Sequence, residues 1–380
     1  MRVLVAPDKF KGSLTAAEVA EHIGRGLRER SDSIQAVLVP VADGGDGTLD
    51  AALRAGFERV RIQAAGPAGE PAGTSYARRG DEAVIELAAI CGLQRFAAGR
   101  RDPLPATSYG LGEAVLHAAT AGCRRIVLGL GGSASTDGGA GMLMALGARI
   151  TDSDGAPIPL GGAPLVTARQ LDLTALHPAL GAVEILVASD VQNPLFGPDG
   201  AAAVYAPQKG ATPDEAGLLD RAMRHWASLV AHSTGRDLSA QASAGAAGGV
   251  GFAALAVLDA RMRPGIELVL ELVGFADKLA GSCLVVTGEG GLDEQTLAGK
   301  APAGVARAAR GTPVVAVAGH CTLSPRQLHA IGISAVYALD DLEPDLRTSM
   351  AQAGPLLERI VSSIADRWLR PAEHTKGAHA

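Results

Sequence analysis

The sequence predicts an α/β protein built as two domains, and three observations carry that prediction. Short apolar runs alternate with stretches whose apolar residues recur at helical spacing, the pattern of parallel sheets covered by helices. A length of 380 residues exceeds what one hydrophobic core usually serves. Glycine makes up 49 of those residues and clusters where apolar runs end, in ADGGDGT, LGLGGSASTDGGAG, SAGAAGGVGF and VVTGEGGLDEQT. Glycine after a strand lets backbone N–H groups approach a ligand closely and lets φ turn positive, so these loops suit an anion.

Val3-Leu4-Val5-Ala6 reads as a strand at 2–6 stopped by Pro7, and LTAAEVAEHIGRGLRER behind it has helical spacing with Ser13 or Thr15 as N-cap. Further strands are expected at 35–41, 83–88, 125–131, 183–189, 283–288, 313–318 and 334–338. Helices are expected at 14–29, 46–55, 109–121, 138–147, 214–233, 249–262, 266–273, 301–309, 325–331 and 346–367. The turn-rich stretch 64–84 interrupts the alternation and reads as a hairpin between domains. Opening and late strands look like members of one parallel sheet. One domain is therefore expected from 1–60 and 280–370, a second, inserted one from 61–279, and a disordered tail at 371–380.

Hydrophobic residues make up 47% of the chain and aromatics only 3%, so the core must be aliphatic and alanine-rich. A net charge of -6, with no basic run and no basic–aromatic interleaving, argues against nucleic acid as a partner. No apolar stretch is long enough to span a bilayer and no signal-peptide pattern follows the first strand, so a cytoplasmic protein without a membrane partner is expected. Cys91, Cys123, Cys283 and Cys321 form no CxxC pair and read as buried free thiols. His22, His225 and His232 read as surface positions on helices; His320, at the carboxyl end of the strand VVAVAG, is placed where it could touch ligand but is read as a structural residue.

Five polar stretches carry the chemistry. In DKFKGS, Lys9 and Lys11 can neutralise phosphate, Asp8 can hold magnesium or orient a hydroxyl, and Ser13 can donate. In VADGGDGT, Gly44 and Gly45 form an anion nest before a helix, flanked by Asp43 and Asp46; the same GGDGT string occurs in NAD kinases and diacylglycerol kinases. In GLGGSASTDGGAG, Ser133, Ser135 and Thr136 are donors to an oxyanion and Asp137 can accept or ligate metal. The dinucleotide pattern GxGxxG matches loosely at Gly129 but lacks a placed acidic ribose partner. Asp190 and Asn193 follow one later strand, and Glu289, Asp293 and Lys300 follow another. Ala301 after Gly299-Lys300 excludes a Walker A loop, and no GxSxG elbow supports a hydrolase.

Taken in order, DKFKGS, ADGGDGT, LGLGGSASTDGGAGML, SDVQNPLFGPDGAAAVYAPQKGA and TGEGGLDEQTLAGKAP resemble the bacterial glycerate kinases of the first type, over nearly the whole chain from Arg2 to about Trp368. The resemblance implies two different α/β domains, one flavodoxin-like and one restriction-endonuclease-like, with an active-site cleft between them. It also implies phosphorylation of D-glycerate from ATP with a divalent metal, Mg2+, and is compatible with a homodimer. Bacterial members mostly resemble producers of 2-phosphoglycerate, with 3-phosphoglycerate the alternative. On this reading Lys9, Lys11 and Lys300 line the site as cations, and Asp190 or Asp293 takes the proton of the attacking hydroxyl. Asp43, Asp46 and Asp137 suit metal. The family's usual GEGRIDxQT departs here: Gly291 stands where arginine is common, while Glu289, Asp293, Gln295 and Thr296 remain. Charge at that point then falls to Lys300 or Lys11. A magnesium-dependent phosphohydrolase, another small-molecule kinase and a non-catalytic nucleotide-binding regulator are the rival readings.

Overall fold

A computed structural model describes residues 1–96, 101–297 and 299–369; the expected tail lies outside them. In chain order its strands are β1 (Arg2–Pro7), β2 (Gln35–Leu38), β3 (Glu58–Ala65), β4 (Pro71–Arg79), β5 (Glu82–Glu86), β6 (Arg125–Gly129), β7 (Arg149–Thr151), β8 (Gln170–Asp172), β9 (Glu184–Ala188), β10 (Arg261–Arg263), β11 (Leu284–Leu292), β12 (Val314–Cys321) and β13 (Ala335–Ala338). The chain divides into two compact units, Met1–Ala42 with Val273–Ala380, and Asp43–Leu272.

The first unit holds a five-stranded sheet in the order β13-β12-β11-β1-β2, parallel throughout. Val3, Leu4 and Val5 pair with Leu284, Val285 and Val286, so the opening strand joins the late ones in one sheet. Numbered within the unit, this is the flavodoxin-like order 2-1-3-4-5. The first helix, Ala16–Arg30, starts at Thr15 in a capping box with Glu18, and packs with Ala353–Trp368. Ile23, Leu27, Leu357, Ile360 and Val361 from these helices share one buried cluster with Val3, Val5, Val286 and Val315. Each fully buried side chain of this kind contributes about 1.5–3 kcal/mol. His22 is half-buried, its Nδ1 2.7 Å from Glu358 Oε1, so it joins two helices instead of facing only water. The single helix expected over 346–367 is two, Leu346–Ala351 and Ala353–Trp368.

The second unit holds a mixed sheet, β10-β9-β6-β5-β4-β3, in which β10, β9, β6 and β5 are parallel and β3 and β4 antiparallel. The hairpin expected in 64–84 is therefore longer, running from β3 into β5. Chain order suggested that the helix near 46–55 belonged with the opening strands. Instead Leu49, Ala52 and Phe57 are buried with Val84, Val127, Leu186 and Leu268 of the second unit, which puts its border at Asp43. The helix expected over 249–262 stops at Val257, and β10 adds an edge strand that its length of three residues hid. Leu111, Leu128, Met142, Trp226 and Phe252 centre the larger core cluster.

All four cysteines are free, but only Cys91 and Cys123 are buried; Cys283 precedes β11 in a turn and is exposed, and Cys321 is half-buried at the last position of β12. His232 is exposed, whereas His225 Nε2 lies 2.7 Å from Ala168 O. No helix among the described residues is long and apolar enough to cross a membrane.

Candidate active site

In the first unit the chain leaves β1 toward β2 on one side and returns as β11 on the other. The loops after these two strands therefore diverge, and open parallel sheets bind ligands at that switch point. Asp8 and Lys9 follow β1 directly. Asp8 is buried, its N–H donates to Gly288 O at 2.8 Å, and its Oδ1 accepts from Lys9 N–H at 2.6 Å and lies 3.8 Å from Lys9 Nζ. Phe10 is driven into the core cluster and pairs with Leu14 through two backbone hydrogen bonds, so the turn is pinned and Lys11 beside it is exposed. Ser13 Oγ is spent differently from its expected ligand role: it donates to Met350 O at 2.6 Å.

The facing loop comes from β11. A Cβ on Gly290 would lie 3.2 Å from Lys11 N, so the two loops touch. Lys300 Nζ pairs with Glu289 Oε1 at 3.1 Å. Asp293 N–H donates to Thr296 Oγ1 at 3.2 Å and Asp293 Oδ1 accepts from Gln295 N–H at 2.8 Å, a local turn that opens the helix Glu294–Leu297. Thr296 is thereby buried as a turn partner. An open pocket of about 470 Å³ is lined by Asp293, Glu294, Gln295, Thr322, Leu323 and Gln327.

The second unit gathers another cluster at its parallel strand ends. Gly44 has φ +87°, and a Cβ there would meet Ala188 Cβ at 2.8 Å and Gly265 Cα at 2.9 Å; only glycine fits. Asp43, Gly45 and Gly131 lie in the same packing, with Asp43 Oδ1 accepting from Gly45 N–H at 3.3 Å. Asp190, just beyond β9, accepts from Gly265 N–H at 3.1 Å. Burial of its carboxyl group, with the nearby charges of Asp43 and Glu267 adding to it, pushes its pKa up to about 6. That value suits a group that must be ionised near neutrality and still take a proton. Asp46 is exposed on the same loop.

Two residues passed over in the sequence belong here. Glu86 ends β5 and accepts from Gly47 N–H at 3.1 Å and Leu49 N–H at 2.8 Å, holding the glycine loop to the sheet. Burial, which outweighs these two hydrogen bonds, together with Asp46 and Asp50 nearby, pushes it up to about 7. An acidic residue inside EAVIELAAI was the available signal. Lys209 is buried; its Nζ donates to Ser135 O and, at 3.2 Å, to Thr136 Oγ1, and desolvation brings its pKa down to about 8.

The hydroxyl-rich loop turns inward. Ser133, Ser135 and Thr136 are buried, and Ser133 Oγ lies within 3.3 Å of the carbonyls of Ser135 and Ala247. Asp137 is fully buried and accepts from Ser108 N–H (2.7 Å), Ser108 Oγ–H (2.8 Å), Gly139 N–H (3.2 Å), Gly141 N–H (3.3 Å) and Thr107 Oγ–H (3.4 Å). A carboxylate so occupied organises backbone. Asn193 is likewise engaged, donating to Asp199 O at 2.8 Å and accepting from Tyr205 O–H at 2.6 Å.

The profile of the Glycerate kinase family matches residues 3–369. The chain belongs to the glycerate kinase family. It is 40% identical over 370 residues to the glycerate kinase of Bacillus subtilis, covering 96% of this chain and 97% of that one. It is 42% identical over 345 residues to the glycerate 2-kinase of Escherichia coli, covering 89% and 90%. A crystal structure assigned as glycerate kinase 2 from Salmonella typhimurium LT2 superposes with a TM-score of 0.82 at 40% identity, covering 97% of this chain and all of that one. Membership makes the protein a kinase, a phosphotransferase enzyme.

Proposed function

We propose that the protein transfers the γ-phosphoryl group of ATP to the 2-hydroxyl of D-glycerate. The observation that carries this reading is the full-length match at about 40% identity, with the relative in Escherichia coli bearing the name glycerate 2-kinase. The loops fit what the transfer requires. Bringing an anionic acid to a polyanionic nucleotide costs about 4 kcal/mol for each like unit-charge pair at ~4 Å and an effective dielectric near 20, so cations and positioned N–H groups must offset it.

Lys11, exposed at the switch point, and Lys9 beside Asp8 supply positive charge; Lys300 is held in place by Glu289. In the second unit Asp190 takes the proton of the attacking hydroxyl, its carboxyl group already raised toward neutrality. Magnesium commonly keeps several waters and uses one or two carboxylates plus phosphate oxygens. Among the described residues no group of three or more acidic, histidine or cysteine side chains that could hold a metal ion occurs. Asp43 and Asp46 would hold it there, where it would neutralise phosphate charge; Asp137, filled by protein donors, would not.

An enolase-coupled assay without phosphoglycerate mutase tests the reading, because enolase dehydrates 2-phosphoglycerate and not the 3-isomer. Glycerate-dependent ADP release with immediate phosphoenolpyruvate is expected. Signal only after mutase is added would place the phosphate on the 3-hydroxyl. Phosphate release from ATP without an acceptor would favour a hydrolase.

A further inference from the structure

His320, near the carboxyl end of β12 and next to β11, is a group that neither the sequence motifs nor the reaction has used. It stands on β12 directly opposite Gly291 in the parallel register, so both positions face the same side of the sheet. The three atoms nearest a Cβ built on Gly291 all belong to this ring: Cε1 at 2.5 Å, Nε2 at 3.0 Å and Nδ1 at 3.2 Å. Gly291 lies in a regular strand, and nothing in its backbone conformation demands glycine. The vacancy at 291 is therefore the seat of the imidazole. Gly291 stands at the carboxyl end of β11, whose following loop carries Asp293 and Lys300, so the ring lies over the start of that loop.

The ring also departs from the structural part expected of it. His320 is exposed, and its imidazole makes no hydrogen bond among the described residues. A histidine kept for packing would be covered or would spend its N–H on a carbonyl, as His225 does with Ala168. At the carboxyl end of a central strand, next to a ligand loop, an uncommitted N–H donor is placed to meet an oxyanion.

The geometry points to His320 as a substrate-positioning residue: its imidazole N–H binds an oxyanion of the substrates, the glycerate carboxylate or an ATP phosphate, from the space that Gly291 leaves open. This rests on the proposed kinase reading and adds to it a donor for one of the substrates' oxyanions. Positions 291 and 320 then form a pair in which only one long donor fits.

Four variants test it: His320→Ala, His320→Gln, Gly291→Arg and the double Gly291→Arg/His320→Ala, with KM measured separately for D-glycerate and for ATP. Loss of a hydrogen bond to a charged group should raise one KM about tenfold or more in His320→Ala, with kcat changed less, and the affected substrate identifies the oxyanion. His320→Gln, which keeps an N–H donor, should fall between parent and His320→Ala. Gly291→Arg alone should be impaired because the ring occupies its path, and the double variant should recover to within about threefold of the parent, since charge-assisted donation from arginine replaces that of the imidazole. Melting temperatures of all four within a few degrees would show that folding is not what changed.

Parent-like KM values in His320→Ala, or a double variant no better than His320→Ala, would overturn the assignment. Lys11→Ala, run alongside, separates the two levels. If it is impaired while His320→Ala is not, the histidine role alone fails; if neither changes any kinetic constant of an active enzyme, the switch point is not the ligand site.

Discussion

The loop after β1 and the loop after β6 look alike in sequence, each a polar stretch following an apolar strand, yet the fold uses them in opposite ways. After β1 the apolar Phe10 is buried and the lysine beside it is exposed. After β6 the polar side chains themselves are buried: Ser133, Ser135, Thr136 and Asp137 face donors, carbonyls and the ammonium of Lys209. The first arrangement leaves charge available to a ligand. The second spends polar groups on holding backbone, because a buried donor or acceptor without a partner costs about 1–3 kcal/mol. Polarity at a strand end therefore marks a loop whose shape matters, and only the position of its apolar anchor shows which way the polar groups turn.

The largest expected effect concerns chemistry in the second unit. Asp190→Asn should lower kcat by about 10²–10⁴-fold, the usual share of a general base, with little change in melting temperature. In the parent, kcat/KM should climb as pH rises through about 6, where the raised carboxyl group of Asp190 ionises. A variant with parent-like kcat would move the proton acceptor elsewhere, with Asp293 next to be replaced. Asp137→Ala should instead act on stability, losing about 3–5 kcal/mol as five buried donors lose their acceptor, as measured by urea denaturation. A stable but inactive Asp137→Ala would return that residue to the ligand site and erase the contrast between the loops.

Glu86 gives a smaller and pH-dependent effect. Its carboxyl group is held up to about 7 in the fold against an ordinary 4.5. Below the ordinary value both states are protonated. Between the two the unfolded chain releases a proton that the folded one keeps, so folding loses stability as pH rises, about 3 kcal/mol in all, and the loss is complete above 7. Glu86→Gln cannot ionise and should gain that amount relative to the parent between pH 4.5 and pH 8. A stability difference independent of pH would contradict this.

The sheet of the first unit was legible because β1, β11 and β12 carry continuous apolar runs buried on both faces that end at Pro7, Gly288 and Gly319. The second unit was harder to read. Its border falls at Asp43 because Leu49 and Phe57 find their apolar partners far downstream, from Ala77 to Leu272, a choice that spacing cannot express. Short strands such as β10 carry too few residues to show a period. At the site, residue types that need strand-end loops were visible, among them Asp43, Asp190, Glu289 and Lys11. What escaped was whether each side chain turns outward or inward. Lys209 illustrates the reason: a lysine in APQKGA reads as solvated, and only the buried carbonyl of Ser135 and hydroxyl of Thr136 explain its place inside.

The central claim is that the exposed loop after β1 serves the ligand, and Lys11→Ala tests it most directly, with melting temperature and kcat/KM for both substrates measured on one preparation. An exposed lysine contributes little to stability, so unfolding free energy should change by less than about 0.5 kcal/mol. A charge contact made in the transition state should cost about a hundredfold in kcat/KM, roughly 2.7 kcal/mol. A variant that melts with the parent and loses that hundredfold is the predicted result. One that turns over like the parent would contradict the account, leaving DKFKGS a solvated connection and moving the search for the phosphate cations to Lys300.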